Sequence, residues 1–247
     1  MDNIKPSETS QLSESIRKYS PYLFEIRKRL LITMSFFGVS SIVGFVFYER
    51  IIRFIIDLLS LNDVNIVFTS PFQFINLAIN SGMATGLTLT FPLLIYQILS
   101  FLKPALKKFE YKMLVKFMPF CIILFLSGFS FGIYVMKWQI QLFLAKSVSL
   151  GIGNILDINH LLNMVLFISV LMGIAFQFPI IIIFLTRLGI VTRNQLSKKR
   201  RWVYLGSLIF VILLPLDSIL ADFLLVFPLV VLFELTLVLA RLYEKRK

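Results

Sequence analysis

Acidic residues are scarce in this chain: 13 Asp and Glu stand against 25 Lys and Arg in 247 residues, and charge of either sign makes up only 15%. With 58% of residues hydrophobic, there is too little charge to cover the outside of a water-soluble domain of this length. Cysteine and histidine are almost absent, with Cys121 and His160 the sole examples. A single cysteine excludes an intramolecular disulfide, and one cysteine with one histidine gives no metal-ligand cluster and little support for a Ser/His/Asp or Cys/His catalytic set. Gly151 and Gly153 have no lysine placed for a phosphate loop. Internal repeats are missing as well, and nowhere does the chain show the strict alternation of a barrel strand. No cofactor, metal site or enzymatic activity is expected.

What is present is a series of long uncharged runs. A hydrocarbon layer about 30 Å thick requires roughly 20 apolar helical residues, because lipid offers no partner to an open backbone group. Runs of that kind cover about residues 30–48, 77–102, 113–136 and 161–185. The last apolar stretch, 202–240, is too long for one crossing and is interrupted at Leu214, Pro215, Leu216 and Asp217. Proline lacks a donor and restricts its predecessor, while aspartate favours turns, so a short fifth helix (202–214), a turn and a sixth helix (219–240) are predicted. Thirteen residues span only about 20 Å, so the fifth helix implies local bilayer thinning or buried polar groups. The fold class read from the sequence is therefore all-α: a polytopic membrane protein of six transmembrane helices.

Placement of the positive charges orients it. Lys and Arg collect before the first run, in 103–116, in 187–201 and from Arg241 onward, which accounts for 21 of the 25. Arg50, Arg53, Lys137 and Lys146 are the remainder. Short basic loops mark the cytoplasmic side, so both termini are expected there, N-in and C-in. The net charge of +12 then follows from topology, without a nucleic-acid partner. Residues 1–20, with their Asn, Ser and Pro, read as a disordered cytoplasmic tail, and 21–247 as one six-helix domain. The first run is long, lacks a small-residue cleavage pattern and heads further spans, so it reads as a retained helix rather than a signal peptide.

Polar groups at the ends and insides of these runs are the functional candidates, since burying them in lipid is costly. Glu25 lies four residues before Arg29, and that spacing alone favours a plain helix-surface ion pair. Glu110 stands alone in a basic loop, where it either balances charge locally or, with Glu25 at the same face, receives a cationic ligand. Carboxylates match the planar fork of a guanidinium, so two such acids suit two neighbouring arginines. Gln177, within the fourth run, is expected to bond another helix, a water or a ligand. On the final hairpin, Asp217 suits a turn, and Asp222 and Glu234 are further acids, Glu234 being drawn toward the interface. His160 and Cys121 read as bland packing or helix-end residues.

Taken together, these segments resemble the TatC component of the twin-arginine protein translocase. Tyr22 to Leu30 is similar to the family's amino-terminal motif of His, Leu, any residue, Glu, Leu, Arg, any residue, Arg, Leu. Ser70, Pro71 and Phe72 resemble the segment before the second span, and Phe91 to Gln97 a pattern within it. Phe101, Pro104, Leu106 and Glu110 continue the likeness, as do Pro215 with Asp217 and later Pro228, Leu232, Phe233 and Glu234. The resemblance covers the whole chain. It implies a glove-like concave bundle with short fifth and sixth helices, and a receptor in the inner (cytoplasmic) membrane, or in the thylakoid or mitochondrial inner membrane of an organelle. Such a receptor binds twin-arginine signal peptides of folded cargo, recruits TatA-like and TatB-like single-span proteins, self-associates, and uses the proton-motive force. By carry-over, Glu25 and Glu110 receive the signal's arginines, Arg27 supports them, and the signal's apolar stretch lies along the concave face toward Gln177.

Two positions depart from the family. Tyr22 stands where histidine is common, and Gln177 where many relatives have glutamate. A neutral amide hydrogen-bonds but cannot relay a proton. The rival readings are a small secondary transporter built around Gln177, Asp222 and Glu234, and a passive assembly scaffold.

Overall fold

The structure is a computed structural model that describes residues 8–60, 65–103, 108–150, 155–187, 191–214 and 219–244. Its helices are α1 (Glu8–Val46), α2 (Tyr48–Leu59), α3 (Gln73–Leu102), α4 (Lys108–Ser149), α5 (Ile158–Ala175), α6 (Phe178–Arg187), α7 (Arg193–Lys198), α8 (Arg200–Ile212) and α9 (Ile219–Glu244). Two three-residue strands, β1 (Asn65–Val67) and β2 (Ile155–Asp157), pair in parallel with Asn65 opposite Ile155. Five segments are long and apolar enough to cross a membrane: Phe24–Val46, Gln73–Phe101, Met118–Ser149, Ile158–Thr186 and Ile219–Val238.

These match the predicted runs with three differences. Residues 8–20, assigned by composition to an irregular tail, continue α1 as helix. Residues 8–20 themselves hold no glycine or proline, and extending an existing helix, even through Pro21 with the loss of one backbone donor, is cheaper than nucleating one. The third span runs well past Met136 to Ser149, because Lys137 and Lys146 do not stop a helix that leaves the apolar layer. The fourth is broken into α5 and α6. Pro179 has no N–H to give to the preceding turn, and Gln177 N bonds Ile174 O at 3.0 Å, a tighter turn than the helix before it. The predicted short helix appears as α8, thirteen residues long, and the break before α9 falls at the predicted hairpin. Asp217 and Pro215 themselves lie outside the described residues.

Small residues set the closest helix contacts, as expected where lipid removes the hydrophobic drive between helices. Gly82 and Gly86 on α3 sit against α1, and a Cβ at Gly82 would come within 2.7 Å of Ser41 O. Gly128 and Gly132 on α4 do the same against α5, where a Cβ at Gly132 would stand 2.7 Å from Ser169 Cα. The main core gathers around α5, with Leu162, Ile168 and Met172 fully buried. By contrast, Val39, Ile42, Val46 and many other large apolar side chains are exposed. A patch of that extent is untenable in water and ordinary in lipid.

The chain's up-and-down course places the start of the Phe24–Val46 span, the ends of α3, α6 and α9, and the starts of α4 and α8 at one end of the bundle. The paired strands lie at the other.

Candidate functional site

Glu25 and Arg29 lie one helical turn apart on α1, so their side chains meet on one face. Arg29 donates Nη2 at 2.6 Å and Nε at 3.1 Å to the same oxygen, Glu25 Oε1. Its remaining terminal nitrogen, Nη1, donates to Gln97 Oε1 at 3.1 Å and Gln97 O at 3.3 Å. The guanidinium thus ties α1 to the last turns of α3, and it does so half out of water, with the Arg29 side chain 21% and the Glu25 side chain 36% exposed. Glu25 Oε2 has no partner among the described residues. Arg27 is exposed, two positions round the helix from the pair.

Glu110 belongs to the first turn of α4, at the same end of the bundle as Glu25, and its side chain lies outside the described residues. The backbone therefore assembles α1, the α3 terminus and the α4 start at one face. An acid at a helix start is also favoured by the helix dipole.

Gln177 is 8% exposed and lies where the α5–α6 break frees backbone acceptors. Its Nε2 donates to Cys121 O on α4 at 3.1 Å and to Gly173 O at 3.4 Å. Gly173 O is the acceptor that Gln177 N abandons for Ile174 O. Of the roles open to it from sequence, the amide takes the interhelical one.

At the same end as Glu25, Glu234 on α9 is gripped by α8. Tyr204 donates its hydroxyl to Glu234 Oε1, and Arg200 Nη1 lies 3.6 Å from Oε2. Beside them Phe233, Leu237, Ile182 and Leu196 form a small separate core. Asp222, in the first turn of α9, has a buried Oδ1 without a partner among the described residues. No group of three His, Cys, Asp or Glu that could hold a metal occurs among those residues.

At the opposite end a second cluster, unforeseen from sequence, forms around Asp157. Its carboxylate caps α5 by accepting from Asn159 N at 2.9 Å and His160 N at 3.1 Å. It also accepts from Gln73 Nε2 at 2.8 Å and from the Thr69 hydroxyl, so it joins the loop after β1 to the start of α5. These donors, the Thr69 hydroxyl above all, hold the Asp157 carboxyl below the usual carboxylate range. The available sequence signal was an Asp directly before an apolar helix, a common capping pattern. Tyr204, Arg200 and the Arg29–Gln97 contact had no local signal, because each pairs residues on different helices.

Comparison with known proteins agrees with this architecture. The family profile described as "Sec-independent protein translocase protein (TatC)" matches residues 21–228. The chain is 32% identical over 227 residues to the Sec-independent protein translocase protein TatCy of Bacillus subtilis (strain 168), covering 89% of this chain and 87% of that one. It is 30% identical over 243 residues to the TatC protein of Listeria innocua, covering 95% and 96%. A crystal structure described as the twin arginine translocase receptor TatC in DDM superposes with a TM-score of 0.80 at 25% identity, over 89% of this chain and 99% of that one.

Proposed function

We propose, for a chain that belongs to the TatC family of Sec-independent protein translocase proteins, that it is the signal-peptide receptor of a twin-arginine translocase. As a multi-pass membrane component of a protein translocase, it has binding rather than bond-making as its task. Six helices, with α8 as the short fifth crossing, put both termini and the basic loops in the cytoplasm, and the membrane is the inner one. The Glu25 end is then the cytoplasmic entry face. A paired-arginine signal docks there on Glu25 and Glu110, with Arg27 adding support, while its apolar stretch follows the bundle toward Gln177. Single-span TatA-like and TatB-like proteins are the recruited partners, further copies of the chain assemble beside them, and the proton-motive force drives export.

The observation that carries this reading is the carboxylate of Glu25, which already holds a guanidinium at the membrane entry point, with its second oxygen unpartnered among the described residues. An acid that accommodates one planar fork accommodates another of the same shape. The transporter reading is weakened, because two of its three groups are taken up structurally: Gln177 bonds two backbone carbonyls and Glu234 bonds Tyr204 and Arg200, which leaves Asp222 alone. Photocrosslinking from positions 25 and 110 to a paired-arginine peptide, with a paired-lysine control, tests the assignment. Crosslinks lost in the lysine control are the expected result. Absence of any crosslink from both positions, in folded protein, removes the site.

A further inference from the structure

The guanidinium on Glu25 is the chain's own. Arg29 places two nitrogens on Oε1 and its third on two acceptors of Gln97, so it is held by α1 and α3 together. We propose that Arg29 determines the receptor's specificity: it occupies Glu25 in the empty receptor, and an incoming arginine pair must displace it onto Gln97. This rests on the reading that Glu25 receives a signal arginine.

Three features support the exchange. Glu25 Oε2 has no partner among the described residues, so an entering guanidinium can bond there before Arg29 leaves. Gln97 offers both its backbone and side-chain oxygen, so the displaced Arg29 keeps acceptors throughout. Partial exposure of both side chains leaves the pair within reach of a ligand. An intramolecular competitor acts at a high effective concentration, typically millimolar, and sets a threshold that a ligand must exceed. A planar fork with several donors can replace another fork, whereas a lysine ammonium is a compact, strongly hydrated point charge and cannot reproduce the geometry. Discrimination between arginine and lysine would then arise from the contest with Arg29 as well as from Glu25 itself.

The test uses the full chain in lipid nanodiscs and fluorescent signal peptides carrying paired arginines or paired lysines. Arg29→Gln is expected to tighten lysine-peptide binding about tenfold, by removing the millimolar competitor, and to tighten arginine-peptide binding less, so that the ratio between them narrows. Arg29→Lys, which keeps the charge and loses the fork, falls between. Gln97→Leu weakens arginine-peptide binding with Arg29 present and has no effect in the Arg29→Gln background. An unchanged ratio in Arg29→Gln, or parallel loss of both peptides, overturns the proposal. Glu25→Gln separates it from the receptor reading: if that change abolishes arginine-peptide binding while Arg29→Gln leaves the ratio intact, only the role of Arg29 fails. If Glu25→Gln binds like the unaltered chain, both fail. Should the Arg29 variants not fold, the Arg29 Nε–H resonance of the unaltered protein decides, shifting with the arginine peptide and not with the lysine peptide if the exchange occurs. No shift with the arginine peptide overturns it.

Discussion

A carboxylate anchors each end of this bundle, and the two are held by opposite means. Glu25 is paired with a cation, Arg29, and keeps one oxygen without a partner among the described residues, whereas Asp157 receives four neutral donors from two backbone amides, Thr69 and Gln73. A cation on a half-exposed acid can be exchanged for another cation. Four converging neutral donors belong to one loop and two helix starts, and nothing in solution replaces them together. The first arrangement suits recognition, the second fixation.

Breaking the recognition end should have the largest effect. Glu25→Ala with Glu110→Ala is expected to weaken paired-arginine peptide binding by about 2 kcal/mol, near thirtyfold, the low end for charge pairs because Glu25 is partly exposed. Peptide titration in nanodiscs and export in reconstituted vesicles measure it, and undiminished export by the double variant would refute the assignment. Next comes Gln177→Leu, which leaves Cys121 O and Gly173 O without their side-chain donor in the bundle interior. A loss of about 1.5 kcal/mol in stability is expected by thermal unfolding in detergent. Peptide affinity in the same variant should stay within a few-fold, since its contacts are between helices.

Asp157→Ala at the fixation end should cost about 1 kcal/mol, the usual worth of a helix cap. Its pH behaviour sharpens the contrast. The folded carboxyl titrates below its unfolded value, so its contribution is present above the ordinary aspartate range and is lost as pH falls through the lowered folded value. An unfolding series in acid should therefore show a destabilising limb that Asp157→Asn flattens. An identical limb in the variant would mean that another group controls it. The smallest effect is expected from Tyr204→Phe, which removes the hydroxyl bond to Glu234 while Arg200 stays, for about 0.5 kcal/mol in stability and no change in peptide selectivity.

Much of the architecture was legible along the chain. The apolar runs, the short α8 and the hairpin break all follow from local composition, since crossing lipid makes a demand on every residue of a segment. The ends of the runs were less legible. Charge at Lys137 signals where the apolar layer stops and says nothing of where the helix stops, so α4 continues to Ser149. The Glu25–Arg29 pair was visible as a four-residue spacing, yet Gln97 is 68 positions away from Arg29, and no spacing rule reaches that far. Gln177 stood out as a polar residue in lipid, while its partner Cys121 O, 56 positions distant, could not be named.

The sequence alone determined that the chain is a multi-pass membrane protein and where its long apolar spans fall, because lipid acts on local hydrophobicity. Only the tertiary structure decided which polar atoms are satisfied and by what. It directed Gln177 to a helix junction, closed Glu234 against Tyr204, gathered four donors on Asp157 and left Glu25 Oε2 without a partner among the described residues. The reason is physical: a hydrogen bond depends on distances of about 3 Å between atoms whose separation in the chain is arbitrary.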